Sequence, residues 1–196
     1  MDAYRNSTRG IIPVARATTS MINSATNFAP GNGFCLSWPA SAAMEDRVTA
    51  ASGDLLANFS AAYARTAKRN GWPDLGGGGL EQIGAVAAIQ MLLVRVVDGV
   101  LRLWPGWPAG ARASFADLRV TGAFLVSANS AMSEVTIVSE AGLPLKLPRD
   151  IFAQTDISTA GRSLCANGVA LALTDDGQHF WLRTVAGQRV TVAPCK

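Results

Sequence analysis

Histidine is almost absent from this chain, since His179 is the only one in 196 residues. A single imidazole without a pair of closely spaced cysteines argues against a zinc site. The residues around Ser163 lack the Gly-x-Ser-x-Gly pattern that positions a nucleophilic serine. We therefore expect no metal and no cofactor, and we interpret His179 as a structural residue within a strand.

Cysteine is also scarce, with Cys35, Cys165 and Cys195 as the only thiols. Three cysteines cannot all pair within one chain, and their spacing matches no metal-binding motif. Cys165 and Cys195 both fall in a part of the sequence that favours strands, so a disulfide between them is one interpretation. The pattern favours the other interpretation, in which the cysteines are small buried apolar residues.

Charged residues make up only 16% of the chain, hydrophobic residues make up 49%, and the net charge is +3. This balance favours a packed globular protein and argues against disorder. The one basic cluster, Arg65, Lys68 and Arg69, comes at the end of a predicted helix and suits a solvated helix end. The longest apolar stretch, residues 83–97, is too short to cross a bilayer. We therefore expect neither nucleic acid nor a membrane as a partner.

The most distinctive stretch is a run of four glycines, residues 76–79, followed closely by Glu81. Consecutive glycines adopt backbone angles closed to other residues and let another group approach the main chain. Apolar residues then recur at three- and four-residue steps over residues 83–97, which predicts a buried helix. Gly99 is placed to end that helix. A carboxylate on a glycine loop at the start of a buried helix makes Glu81 the first candidate for a catalytic residue.

The two halves of the chain differ in pattern. Helical spacing dominates before Gly99, and strand-like runs separated by turn residues dominate after it. The predicted strands span residues 118–121, 123–128, 134–139, 143–147, 169–174, 179–184 and 189–192. The turn signals Asp175-Asp176-Gly177 and Ala186-Gly187 predict hairpins. The sequence thus predicts an α+β fold, with a helical segment over residues 1–99 and a C-terminal antiparallel β-sandwich over residues 100–196.

An ordered series of short motifs runs across both halves. It comprises Gly77-Gly78-Gly79-Leu80-Glu81, Met91-Leu92-Leu93, Asp98-Gly99-Val100-Leu101-Arg102-Leu103-Trp104-Pro105 and Val138-Ser139-Glu140-Ala141-Gly142. This succession resembles the C-terminal part of glycoside hydrolase family 95, the α-L-fucosidase-like and α-galactosidase-like enzymes. The resemblance is clearest over residues 70–145.

The resemblance implies that residues 1–99 are the end of an (α/α) toroid that feeds the β-sandwich. It also implies inverting hydrolysis of a terminal α-linked sugar in an oligosaccharide or glycan, by a parent protein that is secreted or periplasmic. The first ten residues are polar and give no sign of a signal peptide. Since so few helices cannot make a toroid, we expect the chain to be truncated, with the helical segment packing against missing upstream helices or a second copy.

Inversion requires a general acid and a water-activating base about 6.5–9.5 Å apart. In the related fucosidases a carboxylate ahead of the Met-Leu-Leu helix helps to activate the water. By gapless comparison the resemblance places that carboxylate at Gly79, which is not acidic, and leaves Glu81, two residues further on with a longer side chain, as the best candidate for the role. It assigns no general acid within this chain.

Each candidate also has a simpler interpretation. Glu81 fits an acidic first-turn residue that the helix dipole stabilises. Trp72, Asn27 and Asn32 are candidates for sugar binding through an aromatic face and side-chain amides, yet they also fit a packed aromatic residue and two turn residues. Trp104, in a proline-rich corner, is interpreted as packing one half against the other.

Two classes of function follow from these observations. The first is a portion of a glycoside hydrolase, which the motif series favours for the parent protein. The second is a non-catalytic carbohydrate-binding or structural β-sandwich module, which the small number of helices favours for this chain alone.

Overall fold

The computed structural model describes residues 80–107, 111–153 and 162–195, together with isolated positions between 57 and 69. In the continuous ranges, helix α1 (Leu80–Leu93) precedes a series of strands. The strands are β1 (Val94–Val97), β2 (Val100–Leu103), β3 (Ser114–Val120), β4 (Phe124–Asn129), β5 (Val135–Ser139), β6 (Leu145–Pro148), β7 (Leu164–Ala166), β8 (Val169–Ala170), β9 (His179–Leu182) and β10 (Gln188–Pro194). The chain divides into two compact units: α1 with the turn after β2, and a β unit that holds all of these strands.

The predicted end of the helix was wrong. Helix α1 ends at Leu93, and the next residues, Val94–Val97, form β1. Three of these four residues are valines, whose branched side chains favour a strand. Asp98 and Gly99 both have positive φ angles, 53° and 74°, and make a two-residue turn that pairs Val97 with Val100. Gly99 therefore turns a hairpin instead of ending a helix.

Over residues 86–93, helix α1 is not buried on all sides. Ala88 and Leu92, four residues apart on the same side, are buried, whereas Val86 lies on the opposite side and is 67% exposed. The prediction of a helix buried all round was therefore wrong for Val86. At the helix end, the Gly106 N–H donates to the Leu92 carbonyl at 3.3 Å, which satisfies a group that lacks a partner within the helix. No helix in the described ranges is both long and apolar enough to cross a membrane.

The larger sheet has six strands in the order β3-β4-β5-β10-β7-β8, and every neighbouring pair is antiparallel. Successive side chains along each strand point to opposite faces of the sheet. In β4, Phe124, Val126 and Ala128 are buried, while Leu125 and Ser127 lie on the outer face. The predicted strands at 123–128 and 134–139 correspond to β4 and β5.

The smaller sheet has four strands in the order β1-β2-β6-β9. Its β2–β6 pair is parallel, with Val100 opposite Lys146, and the other pairs are antiparallel. The predicted purely antiparallel arrangement is therefore correct except at this one pairing. The parallel pairing follows from the long connection through β3, β4 and β5, because parallel strands need a crossover and cannot share a tight turn.

The two sheets share one apolar core. Trp104, directly after β2, is 2% exposed, and its ring meets the Phe115 ring of β3 edge-on at 5.1 Å. The Thr184 hydroxyl, just after β9, donates to Ser139 Oγ of β5 at 2.7 Å. Within the continuous described ranges, one helix followed by two mostly antiparallel sheets is consistent with the α+β arrangement with a β-sandwich that the sequence predicts.

The two predicted hairpin turns have different outcomes. At Asp175-Asp176-Gly177 the chain reverses locally, and Leu173 bridges to Phe180, which confirms a short hairpin. The Ala186-Gly187 turn joins β9 to β10, which belong to different sheets, so the hairpin predicted there was wrong. Gly187 has a φ of 79°, which lets the chain turn here, but β9 and β10 on either side of it pair with other strands.

The favoured interpretation of the cysteines was wrong for two of them. Cys165 and Cys195 form a disulfide, with their Cα atoms 5.0 Å apart. Cys165 in β7 pairs with Ala193 of β10, two residues before Cys195, so the antiparallel register brings the two thiols together. Cys35 lies outside the described residues.

Candidate functional site

The structure leaves the site predicted from the sequence untested. Glu81 is the second residue of α1, in its first turn. Trp72, Asn27 and Asn32 lie outside the described residues. The grouping of these side chains into one site therefore stays a prediction, and the clearest candidate site in the described part of the chain lies elsewhere.

That candidate is a groove of about 440 Å³ across β3, β4 and β5. Its volume falls within the range of about 300–1,000 Å³ that small-molecule sites occupy. It combines small, hydroxyl-bearing, amide, acidic and apolar side chains. The lining residues are Ser114, Phe115, Ala116, Ser127, Ala128, Asn129, Met132, Glu134 and Thr136.

The turn between β4 and β5 forms one end of the groove, and its own hydrogen bonds fix its shape. The Asn129 side-chain oxygen accepts from the Ala131 N–H at 2.9 Å, and the Asn129 carbonyl accepts from the Met132 N–H at 3.0 Å. Ala113 and Ser130 exchange two further bonds, of 2.9 and 3.0 Å. Because the side-chain oxygen of Asn129 is held by the turn, its amide group is the part left to meet a ligand.

A bulge in β3 shapes the opposite side of the groove. The pairing between β3 and β4 shifts between Phe115 and Leu118, and Asp117 has a φ of 52°. Ser127 Oγ accepts from the Asp117 N–H at 2.8 Å and donates to the Asp117 carboxylate at 3.2 Å. A bulge bends its strand and redirects the neighbouring side chains. Here it leaves the small side chain of Ala116 at the lining.

The strand register places the remaining polar groups on one face. Ser127 pairs with Thr136, and both alternate with buried residues, so they lie on the outer face. Asn129 and Glu134 flank the next pair, Ala128 and Val135, and face the same way. Two pairs of polar side chains therefore lie on the outer face of the β4–β5 hairpin. Asn129 and Glu134 are next to the turn, and Ser127 and Thr136 are two residues further from it.

Three of these groups are available to a ligand. Within the described ranges, no hydrogen bond or ion pair involves the Glu134 carboxylate, the Thr136 hydroxyl or the Asn129 amide nitrogen. Beside them, Met132 is 44% exposed and offers an apolar surface. The groove therefore presents an acceptor, a donor and a hydroxyl next to an apolar contact.

The groove is suited to binding, not to hydrolysis by inversion. Glu134 is the one carboxylate among its lining residues, whereas inversion requires two groups on opposite sides of the bond. No cluster of three or more metal-ligating side chains occurs in the part of the chain that the structure describes. Its chemistry is therefore that of a recognition site with one carboxylate among neutral polar groups.

A second polar cluster lies in the turn before β9. The Thr174 hydroxyl and the Gln178 N–H both donate to Asp176 Oδ1. These bonds, the Thr174 bond first, lower the pKa of the Asp176 carboxyl below its usual value. His179 opens β9, as the predicted strand required, with Nδ1 3.7 Å from Asp176 Oδ2. The cluster fixes a turn.

A third set of side chains lies on the outer face of the smaller sheet. Arg95 of β1 stands directly opposite Arg102 of β2. Two strands away, Lys146 Nζ lies 5.2 Å from the centre of the Trp181 ring, within range of a cation–π contact. Arg95 is only 9% exposed, so this set of side chains is partly covered, unlike the open groove.

The sequence reasoning missed the groove residues. Asn129 and Glu134 flank a turn between two correctly predicted strands, and polar residues at a turn are ordinary. The available signal was the spacing: each lies next to a buried strand position, which puts both on the outer face.

A scan against protein-family models and a search of curated proteins both find no match for this chain. The resemblance to glycoside hydrolases therefore rests on the motif series alone.

Proposed function

We propose that this chain is the C-terminal portion of a glycoside hydrolase that cleaves a terminal α-linked sugar, a fucoside or a galactoside, by inversion. The order of elements supports this proposal. Helix α1, which carries Met91-Leu92-Leu93, is followed directly by a unit of two mostly antiparallel sheets. That is the order that the motif resemblance implies. The toroid that would precede α1 is part of the proposal.

Glu81 is proposed as the base that activates the attacking water. It lies in the first turn of α1, where the partial positive charge of the helix end favours a carboxylate in its ionised form. A base has to be ionised to accept the proton of the water. In this proposal the general acid that protonates the leaving oxygen comes from helices upstream of this chain.

Hydrolysis of aryl α-L-fucosides and α-D-galactosides tests this proposal, first with this chain and then with the full-length parent. We expect turnover by the parent with release of the β-anomer, and a loss of about 10²- to 10⁴-fold in kcat on Glu81→Gln, the usual contribution of a general base. The matched control is Glu140→Gln, which removes an exposed carboxylate paired with Arg119. An unchanged kcat in Glu81→Gln would rule out this role, and a parent without turnover on either substrate would rule out the hydrolase.

The groove favours a second candidate function, a non-catalytic carbohydrate-binding module. Its single carboxylate and its neutral polar groups fit recognition without cleavage. This candidate predicts that the chain binds a saccharide without turnover. Turnover by this chain alone would instead show a complete catalytic site and would contradict our expectation of a truncated enzyme.

A further inference from the structure

We propose that the groove over β3, β4 and β5 binds a neutral saccharide, held between the Glu134 carboxylate and the Asn129 amide. This inference deepens the carbohydrate-binding candidate and rests on it. It does not depend on hydrolysis or on Glu81.

The first support is the geometry of the two groups. Asn129 and Glu134 lie on the same outer face at the end of one hairpin, on either side of the paired residues Ala128 and Val135. Hydrogen bonds within the turn hold Asn129 in place, so its amide needs little further ordering on binding. A carboxylate only accepts hydrogen bonds and an amide nitrogen only donates them. A sugar carries neighbouring hydroxyls that do both, so one pyranose ring satisfies the pair.

The second support is the floor of the groove. The Thr136 hydroxyl has no partner in the described ranges and faces the same side as Glu134. Because the Ser127 hydroxyl is already hydrogen-bonded to Asp117, it shapes the groove and does not offer a free donor to the ligand. Met132, at 44% exposure, supplies an apolar surface that suits the C–H face of a sugar ring.

The other ligand classes fit less well. An anionic ligand would meet the Glu134 carboxylate, and the lining includes no lysine, arginine or histidine to offset it. A metal ion would find one carboxylate and no cluster of ligands in the described residues. A purely apolar ligand would leave the carboxylate and the amide without partners, which costs binding free energy. The ligand class that fits the groove is therefore a neutral polyhydroxylated molecule with an apolar face.

Backbone-amide NMR with fucosyllactose and raffinose as probes tests the proposal, because these neutral saccharides carry terminal α-linked fucose and galactose. We expect shifts concentrated at residues 114–116, 127–129 and 132–136. Glu134→Gln and Asn129→Asp should each weaken binding about tenfold or more, as expected when one hydrogen bond to a charged or well-placed group is lost. Asn129→Asp keeps an oxygen that can hold the turn, replaces the donor with an acceptor and adds a negative charge beside Glu134.

The matched control is Asp175→Asn, which removes an exposed carboxylate outside the groove and should leave the affinity unchanged. No binding at tens of millimolar of either probe would overturn the proposal, as would shifts at the amides of α1 alone or an affinity that neither groove variant changes. Groove shifts with inorganic phosphate or calcium chloride, without shifts for the sugars, would also overturn it. Since the readout is binding, its failure is separate from a failure of the Glu81 hydrolysis test.

Discussion

The two sheets of the β unit draw their strands from very different distances along the chain. In the larger sheet, β3, β4 and β5 are consecutive and each turns directly into the next. In the smaller sheet, only β1 and β2 are joined by a tight turn, and β6 pairs with β2 across the whole β3–β5 meander. One sheet is built mainly from local contacts, and the other needs pairing between distant segments.

The two sheets also differ in the side chains on their outer faces. The larger sheet presents the groove with its hydroxyls, amide and single carboxylate. The smaller sheet carries a buried arginine, Arg95, opposite Arg102, and a lysine over a tryptophan. A tight, locally fixed hairpin holds side chains at a constant spacing, which a recognition site requires. The groove lies on such a hairpin.

The largest expected effect tests whether the two sheets fold as one unit. Ile137 in the larger sheet and Leu101 in the smaller are both fully buried. We expect Ile137→Ala and Leu101→Ala each to reduce the free energy of unfolding by about 2–5 kcal/mol, because each leaves a cavity in the core. Urea denaturation followed by circular dichroism and by tryptophan fluorescence measures both.

The control for this pair is Val138→Ala, which shortens a side chain on the outer face next to Ile137 and should cost about 1 kcal/mol or less. If the sheets share one core, both core variants shift both signals together. Two separate transitions, each sensitive to only one variant, would show that the sheets unfold independently.

The next effect concerns the disulfide that joins β7 to the end of β10 in the larger sheet. Cys165 and Cys195 are 30 residues apart, and closing a loop of this length stabilises the fold by about 3–4 kcal/mol in the chain-entropy treatment. We expect a reducing agent to lower Tm, with amides of β7 and β10 losing protection from hydrogen exchange before those of β6 and β9. The double variant Cys165→Ser, Cys195→Ser is the control, since its Tm should not respond to the reducing agent. A wild-type Tm that reduction leaves unchanged would contradict the expected stabilisation.

The smallest effect is expected where the connections of the two sheets meet. A Cβ at Gly142, before β6, would lie 2.8 Å from the Ala186 backbone nitrogen, whereas a Cβ at Gly187 would meet nothing within 4 Å. Both glycines have positive φ angles, 71° and 79°, so both alanine variants incur about 1–2 kcal/mol of backbone strain. Gly142→Ala should be the more destabilising of the two in thermal denaturation, because it also pushes two backbones apart. Equal losses would mean that this approach is easily relieved.

Local patterns predicted the larger sheet better than the smaller. The strands β4 and β5 show clear alternation and are bounded by turn residues, so their positions could be read directly. By contrast, Val94–Val97 continued the apolar run of α1, and Gly99 was interpreted as a helix end although Asp98-Gly99 is a strong hairpin signal. The parallel β2–β6 pairing depends on distant segments, and no local pattern encodes it.

The groove could not be predicted from the sequence for a similar reason. Its polar residues could be assigned to turns and strand faces, but the β3 bulge at Asp117, which shapes one side, has no signature in the sequence. The disulfide also depended on register, because only the β7–β10 pairing decides that Cys165 meets Cys195. The catalytic role predicted for Glu81 stays a prediction.

The position of β10 has a consequence for synthesis. This strand lies between β5 and β7, yet it follows β5 by some fifty residues along the chain. While the ribosome makes that intervening stretch, β5 has no partner on one side, and an open strand edge invites pairing with other nascent chains. The sheet closes only when residues 188–194 leave the exit tunnel, so this unit completes its folding after its other strands have been made and depends until then on protection of the β5 edge.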